Sequence, residues 1–452
     1  MMHLSRLSTV FVSLTAASAY SFEASNYHAN NIIKRDVCVI GGGAAGAYAA
    51  VRLGDLGQSV VLVEKKDALG GQTEAYTVPS TGEIIDYGVE NFQNTTLLRN
   101  FFSRFNVNLV PYLATATSTQ YADFSTGTVY QNFSLPKPDF TEYMTQLEKY
   151  PYLADSWNLP NPVPEDLLLP FGEFITKYSL ENIGYLLGMW GAGNGDILKQ
   201  TTVYMLKSLD KAYMEGFQGS NVMAHENHAV YAAMQAHLGS NVLLSSTVVA
   251  ASRPANGSSA KLVVRTPSGN KLIVAKKLLV AMPQTPKNMN PLSLDVTEKA
   301  VFDQFGYNAM YVGLVKGTGI GAFVDTLGID ISNSYDLPTL GGLMYLQSTT
   351  SEGVYRIWYN AETDVSEDVV KAESLAAIKR LTGKTAEFLV FGSHTPYQLS
   401  VAASAIENGF YNSLNALQGH RNTWYSGAAF LAHHTASLWN YTEVLLPKMI
   451  AA

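Results

Sequence analysis

The sequence contains a single cysteine, Cys38, among 452 residues. One cysteine excludes an intramolecular disulfide, and its place in an apolar segment indicates a packing role. Charge is also scarce: charged residues make up 15% of the chain, the net charge is −7, and no lysine or arginine block occurs. A mildly acidic chain without a basic tract argues against a nucleic-acid partner.

Long apolar runs are absent after the N-terminus, so we expect no membrane span. At the start, "LSTVFVSLTAASA" follows a basic residue and ends in small residues. This pattern predicts a signal peptide over residues 1–20 and a secreted or secretory-pathway protein. Of the four Asn-X-Ser/Thr triplets, Asn94, Asn132 and Asn256 are the favoured glycosylation candidates and Asn440 is the least favoured.

Metal-binding spacing is missing as well. The pair His225 and His228 in "HENH" lacks the H-E-x-x-H spacing, and it lies in a segment, residues 222–238, with helical periodicity. We predict no metal site. His394 and His434 are candidate catalytic bases, whereas Lys316 is a poor candidate because no flanking pattern supports it.

A glycine-rich turn is the most informative feature present. The stretch "DVCVIGGGAAGAYAA", residues 36–50, predicts a buried strand, a turn and the start of a helix. Gly41, Gly43 and Gly46 satisfy G-x-G-x-x-G: the first permits the tight turn, the second lets backbone approach a pyrophosphate, and the third lets helix and strand pack closely. The pyrophosphate would lie at the helix N-terminus, beside Ala45.

Glu64 supports a dinucleotide site. It ends the second apolar strand, about 20 residues after the glycines, where a carboxylate accepts hydrogen bonds from the adenosine ribose. The same charge would repel the 2′-phosphate of NADP. These residues alone leave both NAD and FAD open.

The following segments favour FAD by resemblance. "EKKDALGGQTEAY" places Gly70 and Gly71 after the second strand and resembles the second dinucleotide signature of flavin-containing amine oxidases, which lies beside the phosphates. The basic residue of that signature is replaced by Gln72, which donates hydrogen bonds without charge. "DYGVENF", with Val89, occupies the place where those flavoproteins pass the isoalloxazine ring, and Val248 in "SSTVVAAS" the place that contacts adenine.

The C-terminal "TWYSGAAFLAHHTASLWNYTE" resembles the segment that closes the flavin site. A strand would reach Gly427, and the next helix would point its positive N-terminus at the flavin N1–C2=O edge. Trp439 lies on that helix and is a candidate cofactor contact. Asn440 would lie near the flavin too, which is why it is the least favoured glycosylation site.

The whole arrangement resembles the fungal beta-cyclopiazonate dehydrogenase family of the flavin amine oxidase superfamily. The resemblance implies two-electron oxidation of a small molecule by amine oxidation, desaturation or oxidative cyclisation, in secondary-metabolite biosynthesis, with oxygen as the expected electron acceptor. Because Cys38 is the only cysteine, no cysteinyl link can form elsewhere, and we expect noncovalent FAD. An NAD-dependent dehydrogenase and a non-catalytic binding protein on an FAD scaffold remain the alternatives.

The predicted fold is α/β, with a Rossmann-like FAD-binding domain of the flavin amine oxidase type and a discontinuous α+β substrate domain. We expect Trp190 and Trp439 to wall the substrate cavity, where aromatic surfaces exclude water. The FAD-binding domain is predicted over residues 36–114, 205–290 and 415–452, and the substrate domain over 115–204 and 291–414.

Overall fold

The computed structural model describes residues 20–255 and 257–452. The predicted signal peptide therefore lies outside the described residues, apart from Tyr20, and so does Asn256. Among the described residues, no helix has the length and apolar character needed to cross a membrane.

The strands of the described residues run in chain order as β1 (Ile32–Ile40), β2 (Val60–Val63), β3 (Ala75–Thr77), β4 (Ile84–Asp86), β5 (Leu109–Pro111), β6 (Ser118–Asp123), β7 (Thr128–Val129), β8 (Val222–Ala224), β9 (Val242–Leu243), β10 (Thr247–Ser252), β11 (Ala260–Thr266), β12 (Gly269–Val280), β13 (Gly306–Tyr307), β14 (Ala309–Lys316), β15 (Val324–Gly328), β16 (Gly342–Ser348), β17 (Val354–Ala361), β18 (Glu387–Ser393), β19 (Leu399–Ser400) and β20 (Thr423–Tyr425).

The α-helices are α1 (Ala44–Asp55), α2 (Thr96–Arg104), α3 (Thr141–Glu148), α4 (Glu165–Leu168), α5 (Phe171–Lys177), α6 (Gly184–Trp190), α7 (Thr202–Ser208), α8 (Lys211–Glu215), α9 (Ala229–Leu238), α10 (Pro286–Met289), α11 (Val296–Phe302), α12 (Glu367–Thr382), α13 (Ala403–Glu407), α14 (Phe410–Ala416) and α15 (Thr435–Ala451).

The first sheet has the order β10-β11-β12-β1-β2-β9, with β20 alongside β12. Strand β1 pairs in parallel with both β2 and β12, and β20 pairs in parallel with β12. The apolar runs of β1 and β2 are buried because helices pack over the sheet, α1 contacting β1, β2, α9 and α15. This arrangement confirms the predicted Rossmann-like domain.

The second sheet has the order β18-β14-β17-β16-β15-β6-β7. It is antiparallel except for the pair β15–β6. Helix α12 contacts β16 and β18, and side chains of β14 to β17 help to line a cavity. Its strands come from residues 118–129 and 309–393, whereas the first sheet uses 32–63, 242–280 and 423–425. The domain boundaries themselves stay a prediction.

The segment 222–238 differs from its predicted helical character. It begins as strand β8, paired with β5, and helix α9 starts only at Ala229. Asn227 lies between them, where its side-chain Oδ1 accepts a hydrogen bond from the Ala224 amide at 2.9 Å. An asparagine that bonds nearby backbone in this way favours a turn over a continuous helix.

Candidate functional site

The glycine turn after β1 is shaped by contacts within the chain. Gly41 has a φ of +103°, which favours glycine. A Cβ on Gly46 would lie 1.9 Å from the Gly41 carbonyl oxygen, so only glycine lets α1 pack against the turn. These two positions therefore have the structural roles that the motif predicts.

Gly43 is different, because the chain itself leaves room for a side chain there. Its φ of −73° suits any residue, and a Cβ would meet only the Gly71 Cα within 4 Å, at an ordinary 3.7 Å. The free space opens at the N-terminus of α1, where unpaired amides favour an anion. The turn thus fits a dinucleotide pyrophosphate without needing the chain to move.

Glu64 ends β2 and is 6% exposed. Its Oε2 accepts a hydrogen bond from the Gly42 amide at 2.6 Å, and its Oε1 accepts one from the Lys66 amide at 2.7 Å. The carboxylate therefore holds the glycine turn, a role that the sequence motif did not indicate. Each oxygen has a second lone pair, which leaves it an acceptor for the predicted ribose contact.

The segment after β9 lies next to Glu64. The Ser246 amide donates to the Glu64 carbonyl at 2.8 Å, which brings the start of β10 beside the end of β2. Val248 lies two residues further along, with its side chain 5% exposed in the core. The backbone here is positioned beside the expected adenosine, and the Val248 contact stays a prediction.

The second glycine pair packs directly on the first turn. Gly70 and Gly71 have φ values of +120° and +62°, and the Gly70 amide donates to the Gly42 carbonyl at 2.9 Å. A Cβ on Gly71 would lie 2.9 Å from the Gly43 Cα. Gln72, expected near the phosphates, directs its Nε2 to the His394 carbonyl at 3.2 Å and lines the cavity.

Val89 connects the glycine cradle, which is formed by the turns at residues 41–46 and 70–71, to the cavity. Its amide donates to the Gln72 carbonyl at 3.1 Å, and the Asn227 side-chain Nδ2 donates to the carbonyls of Val89 and Glu90 at 2.9 and 2.8 Å. A Cβ on Gly88 would lie 2.0 Å from the Gln72 carbonyl oxygen, so this close approach requires glycine. Val89 and Glu90 both line the cavity.

The C-terminal segment returns to the same edge of the first sheet. β20 leads to Gly427, which has a φ of +108°, and α15 begins at Thr435, which lines the cavity. The expectation that Trp439 walls the cavity is wrong. Its side chain is 0% exposed, stacks on Tyr48 with ring centroids 4.7 Å apart, and donates from Nε1 to the Ala44 carbonyl at 3.0 Å.

The physical reason is the neighbour that this face of α15 meets. Thr435 and Trp439 lie one turn apart on the same face, but Thr435, at the helix N-terminus, reaches the cavity, whereas Trp439 packs against Ala44 and Tyr48 of α1. It supports the helix whose N-terminus forms the cradle, without contacting the cavity.

The cavity has a volume of about 350 Å³ and lies between the glycine segments and the second sheet. Trp190 lines it as expected, stacking on Phe217 at 4.0 Å and on Phe140 at 5.5 Å. Further aromatic side chains in the lining are Phe92, Tyr112, Tyr185, Tyr213, Tyr345, Trp358 and Tyr397.

Three histidines line the cavity. His433 stacks on Tyr397 at 4.1 Å, and burial lowers the pKa of His433 to about 3, so its ring is neutral. His434 Nε2 donates to the Ser208 carbonyl at 2.7 Å, and His394 Nε2 lies 3.1 Å from Glu74 Oε2. His434 could therefore accept a proton only at Nδ1. Lys316 instead pairs with Glu387 on exposed side chains of the second sheet.

The sequence did not predict the polar end of the cavity, where Glu90, Asp325 and Gln347 lie beside Arg356. Of these residues only Glu90 had a sequence signal, as one of the two charged residues in "DYGVENF". The others come from strands with no distinctive pattern.

A cluster of Asp295, Glu298 and His420 brings metal-type ligand atoms within 4.8 Å of one another. Glu298 is already paired with Arg253 at 2.6 Å and Arg421 at 2.9 Å. A metal ion there would meet two guanidinium groups, so the cluster is better described as an ion-pair network.

These features define a dinucleotide-binding protein with an adjoining small-molecule cavity. The NAD(P)-binding Rossmann-like domain family matches residues 39–105. Among solved structures, a CLA-producing fatty acid isomerase from P. acnes has a TM-score of 0.74 at 18% identity, covering 92% of this chain and 98% of the isomerase. Putrescine oxidase has a TM-score of 0.65 at 15% identity, covering 93% and 100%. Both similarities concern the fold.

Relatives with higher sequence identity identify the family. The chain is 42% identical to the FAD-dependent oxidoreductase pigF of Monascus ruber, over 100% of this chain and 99% of the relative. It is 31% identical to beta-cyclopiazonate dehydrogenase of Aspergillus oryzae, over 96% and 97%. The chain therefore belongs to the family of fungal FAD-dependent oxidoreductases that includes beta-cyclopiazonate dehydrogenase, its cofactor is FAD, and it is an enzyme.

Proposed function

We propose that the protein oxidises a small molecule with an aromatic-type body by two electrons, in fungal secondary metabolism, and that oxygen reoxidises the flavin. The observation that carries the proposal is the cavity of about 350 Å³, which shares Gln72 and Val89 with the segments that adjoin the glycine cradle. Bound FAD supplies the two-electron acceptor. The names of the fungal relatives support the biosynthetic setting.

The residues of the chain supply binding, orientation and water exclusion. Aromatic walls present rigid apolar surface to the substrate, and the stack of Trp190 on Phe217 covers one side. His433 stays neutral and flat against Tyr397, so it adds no charge. His434 is fixed by its bond to the Ser208 carbonyl and can receive a proton at Nδ1.

Two alternatives make different predictions. An NAD-dependent dehydrogenase would turn over with nicotinamide and hold no flavin, and a non-catalytic binding protein would hold FAD that no substrate reduces. The relatives named FAD-dependent oxidoreductases favour the enzyme. The test is anaerobic mixing of the FAD-loaded protein with extracts of the producing fungus: bleaching of the flavin, reversed by air with oxygen uptake, supports the proposal. FAD that is never reduced contradicts it.

We also propose that the protein enters the secretory pathway. Asn94 and Asn132 are exposed, as glycosylation requires. Asn440 is exposed on α15 as well, so the expected crowding by the flavin does not disfavour it. Expression in a filamentous fungus, followed by endoglycosidase treatment of the wild type and of Asn94→Gln and Asn132→Gln, tests this. Glycan-dependent mobility supports the proposal, and an unglycosylated cytosolic protein with an intact N-terminus refutes it.

A further inference from the structure

The polar end of the cavity is acidic. Arg356 on β17 is the guanidinium there, and it is largely occupied: Nη1 lies 2.8 Å from Glu90 Oε2 and 3.0 Å from Gln347 Oε1, while Nε and Nη2 donate to the Asp86 carbonyl. Three carboxyl groups surround it, those of Glu90, Asp86 and Asp325. The charge at this end therefore depends on how far each carboxyl group is ionised.

The three carboxyl groups differ in their hydrogen-bond partners and in their pKa values. Asp325 Oδ1 accepts from the Ser348 amide and hydroxyl, both at 2.7 Å, and burial raises the Asp325 pKa. Burial likewise raises the pKa of Asp86 to about 7. Glu90 has the most direct charge partner, Arg356, and its charge helps to raise the pKa of the adjoining Tyr112 hydroxyl.

Glu90 uses only one of its two oxygens within the protein. Oε2 accepts from Arg356, from Gln347 Nε2 at 3.1 Å and from the Tyr112 hydroxyl at 3.1 Å. Across the described ranges 20–255 and 257–452, no hydrogen bond reaches Oε1, and this atom is not among the buried unpaired ones. Because Glu90 lines the cavity, Oε1 is the oxygen left available to an occupant.

The remainder of this wall is apolar and flat. Tyr345 and Trp358, cross-strand neighbours on β16 and β17, stack with centroids 5.2 Å apart. Trp358 Nε1 is buried and has no partner in the described part of the chain. The wall thus fits an aromatic body, with one free carboxylate oxygen at its acidic end.

We propose that Glu90 is a substrate-anchoring residue whose Oε1 accepts a hydrogen bond from a cationic N–H group on an aromatic substrate. The free oxygen belongs to a carboxylate, so it favours a cationic donor, which makes a charge-assisted hydrogen bond, over a neutral donor, and it disfavours an anion. Fixing Oε2 with three donors holds the free oxygen in one orientation. This inference rests on the proposed function, because it takes the cavity to be the substrate site.

The test measures binding of three probes of similar size to the FAD-loaded full chain by calorimetry: 2-phenylethylamine as the cation, 2-phenylethanol as the neutral donor and 3-phenylpropionate as the anion. We expect the wild type to bind them in that order. Glu90→Gln should weaken 2-phenylethylamine binding by about 10- to 100-fold, as for loss of a charge-assisted hydrogen bond, and should change 2-phenylethanol binding by less than about threefold.

Glu387→Gln is the matched control, because it removes the same charge from an exposed side chain of the second sheet that pairs with Lys316. It should leave the binding of all three probes unchanged. Equal or tighter binding of 3-phenylpropionate by the wild type would overturn the inference, and so would unchanged 2-phenylethylamine binding by FAD-loaded Glu90→Gln. If Glu90→Gln fails to hold FAD, the wild-type probe order decides alone.

Different results would contradict the proposed function and the role of Glu90. A protein that holds no reducible FAD contradicts the proposed function. A protein that holds reducible FAD but shows no preference for the cationic probe contradicts only the role of Glu90.

Discussion

The cofactor cradle and the substrate cavity adjoin each other but are built in different ways. The cradle consists mainly of backbone from residues 41–72. Close backbone contacts or a positive φ require glycine at Gly41, Gly46, Gly70 and Gly71, whereas the chain leaves open space at Gly43. The cavity consists of side chains drawn from residues 72–435. A short sequence motif therefore predicts a site well when close backbone contacts allow only one residue type at each position. It predicts a site poorly when side chains from distant parts of the chain assemble it.

The largest effect is expected from a side chain that fills the cradle. Gly43→Val should abolish FAD retention, because the side chain would enter space that the chain leaves for the pyrophosphate. Flavin content of the purified variant measures this. Gly54→Val on the same helix is the control, since a Cβ there meets nothing within 4 Å, and it should retain FAD. Normal flavin content in Gly43→Val would contradict the placement of the cofactor.

The second prediction separates the two tryptophans. Trp439→Ala should lower the free energy of unfolding by about 3–5 kcal/mol, because it empties a fully buried site under α1. Trp190→Ala should lower it less, since Trp190 is only partly buried, and should mainly weaken binding of aromatic probes. Denaturant unfolding and probe titration of both variants measure the contrast. A larger stability loss for Trp190→Ala would reverse the assignment.

The tryptophans also show how far sequence analysis reaches. The G-x-G-x-x-G spacing identified the cradle because Gly46 must pack on Gly41, a contact between neighbours in sequence. Periodicity could place Trp439 on a helix but could not say which neighbour its face would meet. Glu90 gains Gln347 as a partner across 257 residues, through a side-chain hydrogen bond between a loop and β16 that no local pattern encodes. The polar end of the cavity was therefore not predictable.

Glu64 joins the two parts of the cradle, and its removal should have an intermediate effect. Glu64→Ala should weaken FAD binding by about 1–3 kcal/mol, as expected for charge-assisted hydrogen bonds to one carboxylate. It should also destabilise the FAD-free protein, because the Gly42 and Lys66 amides lose their acceptor. Glu64→Gln keeps one acceptor oxygen, so its FAD affinity and its stability should lie between those of the wild type and those of Glu64→Ala. An effect on FAD alone, with unchanged stability, would contradict the turn-holding role.

The smallest predicted effect depends on pH and concerns the cavity side. Burial, with smaller contributions from the charges of Glu226 and Glu90, raises the pKa of Asp86 from 3.8 to about 7, against the opposing effects of the Asn227 amide and Arg356. The folded protein therefore holds this proton more tightly than the unfolded chain, so stability attributable to Asp86 is greatest below about pH 4 and is lost as the pH rises towards 7. Asp86→Asn should stabilise the protein at pH 8 by about 1–2 kcal/mol.

The measurement for Asp86→Asn is denaturant unfolding at both ends of this pH range. Little difference from the wild type is expected near pH 4, where both chains carry a neutral side chain at residue 86. A stabilisation that is the same at both pH values would contradict the titration of Asp86 and point to packing instead.

The central claim is that the chain holds FAD without a covalent bond in the cradle of Gly43 and Glu64. Acid precipitation of the purified protein, with the visible spectrum and mass of the released chromophore recorded, tests it most directly. The account predicts that all flavin absorption moves to the supernatant as intact FAD, close to one per chain. A protein that carries no flavin even after incubation with FAD, or flavin that stays with the precipitated chain, would contradict it.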